Sequence, residues 1–108
     1  MVEVLMNKTF YELDFEFYEK YPELAQTCGA TGLITLIIEK RVYCFHIGDC
    51  KGYLFRNNTL FQMNIDHLPS RGDERIRIEG AGGFIQYDRL MGKCTLSRCM
   101  GQFEYKVK

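Results

Sequence analysis

Four β-strand candidates follow one another so closely that they leave little choice of fold. Gly32–Ile38 and Val42–Ile47 are apolar on both alternating faces and rich in β-branched residues, and Lys51–Arg56 and Thr59–Asn64 come directly after them. Parallel strands need crossovers of a dozen or more residues, and these links are far shorter. The sequence therefore predicts an antiparallel meander over about 32–64, with the apolar strands covered on both faces.

Helical patterns flank the meander. Apolar residues recur at helical spacing before it, and Thr9 with Glu12 forms a capping box, so a helix is predicted over about 9–20. A short helix is predicted over about 70–81 because three small residues, two of them glycine, follow it as a stop signal, although its two isoleucines alternate as in a strand. Strands bracketed by helices indicate an α+β fold.

Tight turns complete the predicted topology. Asn57-Asn58 tolerates the positive φ of a type I′ turn and is expected to join the last two meander strands. Phe84–Tyr87 and Arg89–Met91 are expected to form two further short strands around Asp88. The chain contains no repeat or linker, so residues 1–108 are interpreted as a single unit.

Composition excludes several classes of protein. Fourteen basic and fourteen acidic side chains give no net charge, so the positive field that nucleic acid or an anionic bilayer requires is missing. The longest apolar run, Leu33–Ile38, is far shorter than the roughly 18 to 20 residues that cross a membrane. The first residues lack the pattern of a secretory signal, so an intracellular location, cytoplasmic or nuclear, is expected.

The five cysteines are odd in number and include no C-x-x-C pair. This pattern favours reduced thiols over a disulfide framework or a zinc ribbon. Cys94 and Cys99 have no histidine pair nearby, so they are interpreted as small buried residues rather than metal ligands.

Few residues suggest chemistry by themselves, because the common nucleotide-binding, serine-hydrolase and zinc-protease motifs are missing. His46 lies in an apolar strand and is interpreted as a hydrogen-bonded core residue. His67 lies in a turn, where a side-chain-to-backbone hydrogen bond is expected. Asp49 follows Gly48 at a strand end, where a carboxylate either stabilises the turn or faces a ligand.

Five motifs in a fixed order make the sequence recognisable. They are C-G-A-T-G at 28–32, I-G-D-C-K-G at 47–52, D-H-L-P at 66–69, D-E-R-I-R-I-E-G-A-G-G at 73–83 and L-S-R-C-M-G at 96–101. Over roughly residues 9–107 the chain resembles the metal-dependent protein serine/threonine phosphatases of type 2C.

This resemblance implies a fold and a chemistry. Family members pack two antiparallel sheets as a sandwich flanked by helices, and two Mg²⁺ or Mn²⁺ ions bridge a water between the sheets. The activated water attacks phosphoserine or phosphothreonine in a phosphoprotein substrate. We therefore expect an α+β chain that forms part of such a sandwich, a single partial domain over 1–108.

The residues that carry this chemistry in the family are missing. Its core metal ligands lie in Asp-Gly-His-Gly, Asp-Gly and Asp-Asn motifs, and this chain has none of them. Asp49 alone matches a metal-site position, that of a carboxylate beside an accessory ion. Gln102 stands where the family usually has Asp, which removes a charged acceptor. No catalytic or cofactor-binding residue is therefore assigned, and tight Mg²⁺ or Mn²⁺ binding is not expected.

Two functions remain open. The chain is either a fragment of an active type 2C phosphatase or a non-catalytic, phosphatase-like interaction module, because function lies in the site and not in the fold. The G-D and D-E-x-x-R-I motifs favour the first, and Gln102 favours the second. Half a sandwich also exposes its inner face, so self-association or a covering partner is expected.

Overall fold

The computed structural model describes residues 1–106 as an α+β arrangement of helices and two-stranded antiparallel ribbons, which confirms the predicted fold class. In chain order the elements are α1 (Val2–Lys20), α2 (Pro22–Thr27), β1 (Gly29–Ala30), β2 (Gly32–Ile38), β3 (Arg41–Ile47), β4 (Tyr53–Arg56), β5 (Thr59–Gln62), α3 (Gly72–Gly80), β6 (Ile85–Gln86), β7 (Arg89–Leu90), β8 (Met100–Gly101) and a 3-10 turn (Phe103–Tyr105). Among the helices of residues 1–106, none combines the length and the apolar character that a membrane crossing requires.

Helix α1 begins earlier than the sequence predicted. Thr9 is not an N-cap, because its hydroxyl donates to the carbonyl oxygen of Leu5 at 2.8 Å, within the helix. A threonine whose hydroxyl bonds to the preceding turn is compatible with a helix interior. The helix ends at Lys20 because Pro22 disfavours a helical Tyr21, whose φ and ψ are −137° and 62°.

The predicted meander is two separate hairpins. β2 pairs with β3 and β4 with β5, both antiparallel, but among the described residues β3 and β4 do not pair. The side chain of Asn64 explains the break, because its Oδ1 accepts from the Gly52 N–H and its Nδ2 donates to the Cys50 carbonyl, both at 2.7 Å. These backbone groups are satisfied by an amide instead of a neighbouring strand.

Three hairpins turn through residues with positive φ. Asn57 and Asn58 have φ of 52° and 58°, as the predicted type I′ turn between β4 and β5 requires. Tyr87 and Asp88, at 56° and 55°, make a similar turn between β6 and β7. Glu39, at 54°, begins the turn between β2 and β3.

The segment with two alternating isoleucines is a helix, α3, and not a strand. Ile78 is buried, with 6% of its surface exposed, whereas Ile76 is 74% exposed. Gly82 has a φ of 89°, and the Gly83 N–H donates to the Ile78 carbonyl at 3.0 Å. The glycines thus end α3 in the way that the sequence predicted.

The N-terminal helix is fastened to the C-terminal segment. β1 pairs with β8, so that Gly29 lies opposite Gly101. Asp14 of α1 accepts a hydrogen bond from the Gly101 N–H at 2.6 Å. Its other carboxylate oxygen forms an ion pair with the Lys106 ammonium at 2.5 Å. This junction, called the Asp14 junction below, closes the chain on itself.

Fewer apolar side chains are buried than the sequence suggested. Within residues 1–106, the buried apolar side chains are Ala25, Pro69, Ile78, Leu90 and Cys99. The chain exposes 7876 Å², whereas a compact monomer of its mass exposes about 6,200 Å². The prediction that the strands are covered on both faces is wrong for this chain, because a two-stranded ribbon has no second sheet to pack against.

Gly101→Ala is expected to destabilise the fold. Gly101 has a φ of 70°, and a Cβ there would lie 2.2 Å from the Cys28 carbonyl oxygen. The left-handed conformation alone costs a non-glycine residue about 1–3 kcal/mol. Urea unfolding should show a loss of at least this size, whereas the matched variant Gly80→Ala, whose Cβ meets nothing within 4 Å, should be neutral or stabilising. Equal stabilities of the two variants would contradict the role of the Asp14 junction.

Candidate functional site

Asp49 lies in an exposed loop whose backbone is tightly determined. The preceding Gly48 has a φ of 97°, and a Cβ there would lie 2.3 Å from Cγ2 of Thr31. Cys50, which follows, has its sulfur 3.1 Å from the Thr31 hydroxyl oxygen. The loop is therefore held from both sides, while the Asp49 carboxylate is exposed.

His67 fixes the same loop through its ring. The Gly48 N–H donates to Nδ1 of His67 at 3.0 Å, and the His67 N–H donates back to the Gly48 carbonyl at 2.9 Å. This is the side-chain-to-backbone bond that the sequence predicted for His67. An imidazole nitrogen that accepts a hydrogen bond carries no proton, so the neutral ring holds its proton on Nε2.

The surroundings of His67 keep it neutral. Burial is the main cause that lowers its pKa from 6.5 to about 4, and the neighbouring His46 and Arg98 add to the effect. The His46 ring stacks on it with centroids 4.3 Å apart, and Nε2 of His46 donates to the Ile65 carbonyl at 2.9 Å. Both imidazoles are thus engaged in structural contacts, and His67 is poorly suited to act as a general base.

The other aspartates near this loop have partners of their own. Asp66 forms an ion pair with Lys51 and accepts from Nε2 of Gln62 at 3.2 Å. Asp73 is paired with Arg71 at 2.6 Å, and Asp14 belongs to the Asp14 junction. These three aspartates are therefore engaged by other side chains or by the backbone.

This donor set does not fit a two-metal centre. Mg²⁺ and Mn²⁺ require several oxygen ligands, usually two or more carboxylates with water. Across residues 1–106 there is no group of three His, Cys, Asp or Glu side chains placed to hold a metal ion. The exposed carboxylate of Asp49 is therefore not part of such a cluster among the described residues.

A buried carboxylate that the motif analysis did not single out organises the other side of the site. Glu74 of α3 is only 2% exposed and accepts from Arg98 through Nε at 3.0 Å and Nη2 at 2.9 Å. Arg77 donates to the same carboxylate at 2.9 Å and to the Ser97 carbonyl at 3.0 Å. This cluster, Glu74 with Arg77 and Arg98, ties α3 to the L-S-R segment.

The charge of Glu74 is maintained by its partners. Burial by itself would raise the pKa of this carboxyl, but the hydrogen bonds from Arg98 and Arg77 outweigh burial and lower it well below 4.5. The available signal in the sequence was the i, i+3 spacing of Glu74 and Arg77, which places the two side chains on one helix face.

A cavity of about 650 Å³ lies between α1, β3, α3 and the segment 90–106. Its walls include Phe10 and Tyr11 of α1, His67, and the two arginines of the Glu74 cluster. Its ionised groups are largely neutralised by one another, and its histidines are held by backbone contacts. The cavity therefore resembles a gap between packed elements more than a catalytic pocket.

Gln102 is held in a left-handed conformation, with φ and ψ of 50° and 48°. Its N–H donates to the Cys28 carbonyl at 2.8 Å. Its Oε1 accepts from the thiols of Cys99 at 3.0 Å and Cys94 at 3.5 Å. The amide that stands in place of the usual aspartate thus has a defined set of partners.

Glu74→Gln is expected to lower the free energy of unfolding by about 2 kcal/mol near neutral pH, in the range of buried hydrogen bonds to charged groups. Because folding lowers the pKa of Glu74, the stabilisation is fully present above about pH 4.5 and is lost as the pH falls further. Chemical unfolding at several pH values measures both effects. Glu79→Gln, which alters an exposed pair with Arg75, is the control, and an equal loss in both variants would disprove the role of the cluster.

His67 is expected to make the fold less stable as the pH falls from about 6.5 towards 4. Its pKa is depressed in the folded chain, so below 6.5 the unfolded chain binds the extra proton more readily. His67→Asn preserves an acceptor for the Gly48 N–H but does not titrate. The free energies of unfolding of the two proteins should therefore diverge across this interval, and parallel curves would contradict the expectation.

Comparison with known proteins agrees with the resemblance. The sequence model of the family "Protein phosphatase 2C" matches residues 1–108. "Probable protein phosphatase 2C 3" of Paramecium tetraurelia is 36% identical over 96% of this chain and 43% of its own length. "Protein phosphatase 2C homolog 2" of Schizosaccharomyces pombe is 42% identical over 72% of this chain and 21% of its own length. "Protein phosphatase 1A" of Bos taurus is 37% identical over 76% of this chain and 22% of its own length.

The chain thus spans less than half the length of the curated relatives that it matches. The family match extends over all of its residues, and the hairpins, α3 and the L-S-R segment carry the motifs that the sequence suggested. This chain belongs to the protein phosphatase 2C family.

Proposed function

We propose that this chain is a fragment of a type 2C protein serine/threonine phosphatase and that it does not hydrolyse phosphoproteins by itself. The observation that carries the proposal is a family match over all 108 residues in a chain that spans 43% of a relative's length. Family members are metal-dependent enzymes that act on phosphoprotein substrates. In a whole enzyme, the substrate would be phosphoserine or phosphothreonine in a protein, with Mg²⁺ or Mn²⁺ as cofactor.

The proposed inactivity follows from the shortage of metal ligands in this chain. A metal-activated water requires cations held by several oxygens, and Asp49 stands alone in an exposed loop. Asp66 and Asp73 are occupied by Lys51 and Arg71. We assign to Asp49 the holding of an accessory ion in the complete enzyme, and to the Gly48 and His67 contacts the positioning of its loop.

We further propose that residues 1–108 are one partial domain. The pairing of β1 with β8 and the Asp14 junction support this, because they join α1 to the last described residues. No linker-like segment interrupts the chain between them. The fragment is then a continuous piece of the catalytic fold.

A second function, a non-catalytic interaction module, is favoured by Gln102. Its amide oxygen accepts from two cysteines, so this position is adapted to uncharged partners. The in-frame genomic sequence on both sides of this chain distinguishes the two functions. An upstream Asp-Gly-His-Gly together with downstream Asp-Gly and Asp-Asn motifs would support a fragment of an active enzyme, and their absence would support the module.

The proposed location is intracellular, in the cytoplasm or the nucleus. The state of the cysteines supports it, because all five are free thiols and lie within residues 1–106. Reduced cysteines are typical of intracellular proteins. Microscopy of the tagged chain in cells tests the proposal.

The isolated chain is expected to show no turnover of a phosphothreonine peptide with Mn²⁺ or Mg²⁺, and no tight binding of Mn²⁺ in a calorimetric titration. The reason is that the described residues do not gather the several oxygen ligands that these ions require. Asp49→Asn is the matched control, and it should behave in the same way as the unaltered chain. Micromolar binding or activity that disappears in Asp49→Asn would refute the proposed inactivity.

The isolated chain is also expected to self-associate or to be poorly soluble, because apolar side chains remain uncovered on the ribbons. Ile37 and Val42 are paired across β2 and β3 and are 69% and 46% exposed. Ile37→Lys should reduce the association in sedimentation velocity. Glu12→Gln, which changes the net charge by the same amount on the exposed side of α1, should have little effect. A clean monomer with sharp cooperative unfolding would show that the chain closes its own core.

A further inference from the structure

Two cysteine thiols converge on one oxygen in the C-terminal segment. Oε1 of Gln102 accepts from Cys99 at 3.0 Å and from Cys94 at 3.5 Å. The two sulfur atoms can therefore be no further apart than the sum of these distances. Cysteine side chains reach disulfide geometry by rotation about χ1 when their Cβ atoms are close enough.

The backbone around the pair is held by contacts that do not involve sulfur. The Gln102 N–H donates to the Cys28 carbonyl at 2.8 Å. The Cys99 carbonyl accepts from Lys106 at 3.0 Å, and the backbone of Cys94 pairs with that of Leu90. The thiols thus meet on a fixed scaffold, which raises their effective concentration for each other.

The two thiols differ in access. Cys94 is half-buried, whereas Cys99 is buried with 9% of its surface exposed. A small oxidant in solution therefore reaches Cys94 before Cys99. Cys99 is then placed to attack the oxidised Cys94 sulfur. A more accessible thiol beside a buried one is the arrangement of a reacting and a resolving cysteine.

From this geometry we propose that Cys94 and Cys99 form a peroxide-reactive dithiol that closes to a disulfide, and that Gln102 is the residue that positions both thiols. The site is independent of the phosphatase chemistry proposed above, because it uses none of the metal-site residues. Its reactant is a hydroperoxide, with hydrogen peroxide as the simplest.

The reaction balances in two steps. The Cys94 sulfur attacks one oxygen of hydrogen peroxide, the O–O bond breaks, and the products are a sulfenic acid and water. The Cys99 sulfur then attacks the Cys94 sulfur, the S–O bond breaks, and the departing hydroxide takes a proton to become a second water. Two thiols are oxidised to one disulfide and one peroxide is reduced.

Gln102 suits this role because its amide is uncharged. A carboxylate at the same distance would place a negative charge beside both thiols and would disfavour their thiolates, which are the reacting forms. Burial also raises the pKa of Cys99. The closure is therefore expected to accelerate as the pH rises and more of the Cys99 thiol ionises.

The test treats the full chain with a small excess of hydrogen peroxide, then alkylates the remaining thiols and digests for mass spectrometry. The expected product is an intramolecular link between Cys94 and Cys99, with Cys28, Cys44 and Cys50 still alkylated. Formation should be roughly tenfold or more faster near pH 9 than near pH 7. Cys94→Ser and Cys99→Ser should each abolish it.

Gln102→Glu separates positioning from a purely structural role. The variant has the same shape and still accepts hydrogen bonds, so circular dichroism should show an unchanged fold. The added negative charge beside the sulfur atoms disfavours the thiolate and should slow disulfide formation about tenfold at neutral pH. An unchanged rate in this variant would overturn the role of Gln102. Oxidation confined to the exposed Cys28, or disulfides that link Cys94 or Cys99 to any other cysteine, would overturn the dithiol itself.

Discussion

The carboxylate of Asp14 connects two parts of the chain that are far apart in sequence. One of its oxygens accepts from the Gly101 N–H and the other is paired with Lys106. This contact requires Gly29 and Gly101 to pass each other without side chains, since a Cβ on either would overlap the opposite backbone. The cavity, the Glu74 cluster and the cysteine pair all lie beside the segment that this contact holds in place.

Polar contacts, more than apolar burial, organise the described residues. The Glu74 cluster joins α3 to the L-S-R segment through charged hydrogen bonds. A buried charge of this kind is costly unless every partner is in place. It therefore specifies one arrangement of α3 against the L-S-R segment, which a thin apolar core could not do.

Local chemistry made much of the fold predictable. The turn at Asn57-Asn58 and the glycine stop after α3 depend on a few neighbouring residues, and the structure has both. The break between β3 and β4 could not be predicted, because it depends on Asn64, a dozen residues from the groups that it satisfies. Periodicity likewise could not place the start of α1, since Thr9 serves equally as a cap or as a helix-interior residue.

The candidate site was predictable only in part. The resemblance identified Asp49 and Gln102, whereas the partners of Gln102 are contacts in space that no spacing rule reveals. Glu74 lies inside the D-E-R-I-R-I-E-G-A-G-G motif, but its burial as a charged group depends on Arg98 from another segment. A residue whose role depends on partners far away in sequence cannot be recognised from its neighbouring residues alone.

The two-stranded ribbons have a consequence for how the chain opens. A ribbon of two strands leaves both outer edges without backbone partners, and such ribbons are marginally stable in water. The amide protons on the outer edges of β4 and β5 should therefore exchange with solvent early. Helix α3 is tied by Glu74 to a distant segment, so its amide protons should exchange late. The β4–β5 ribbon should therefore open before α3 does.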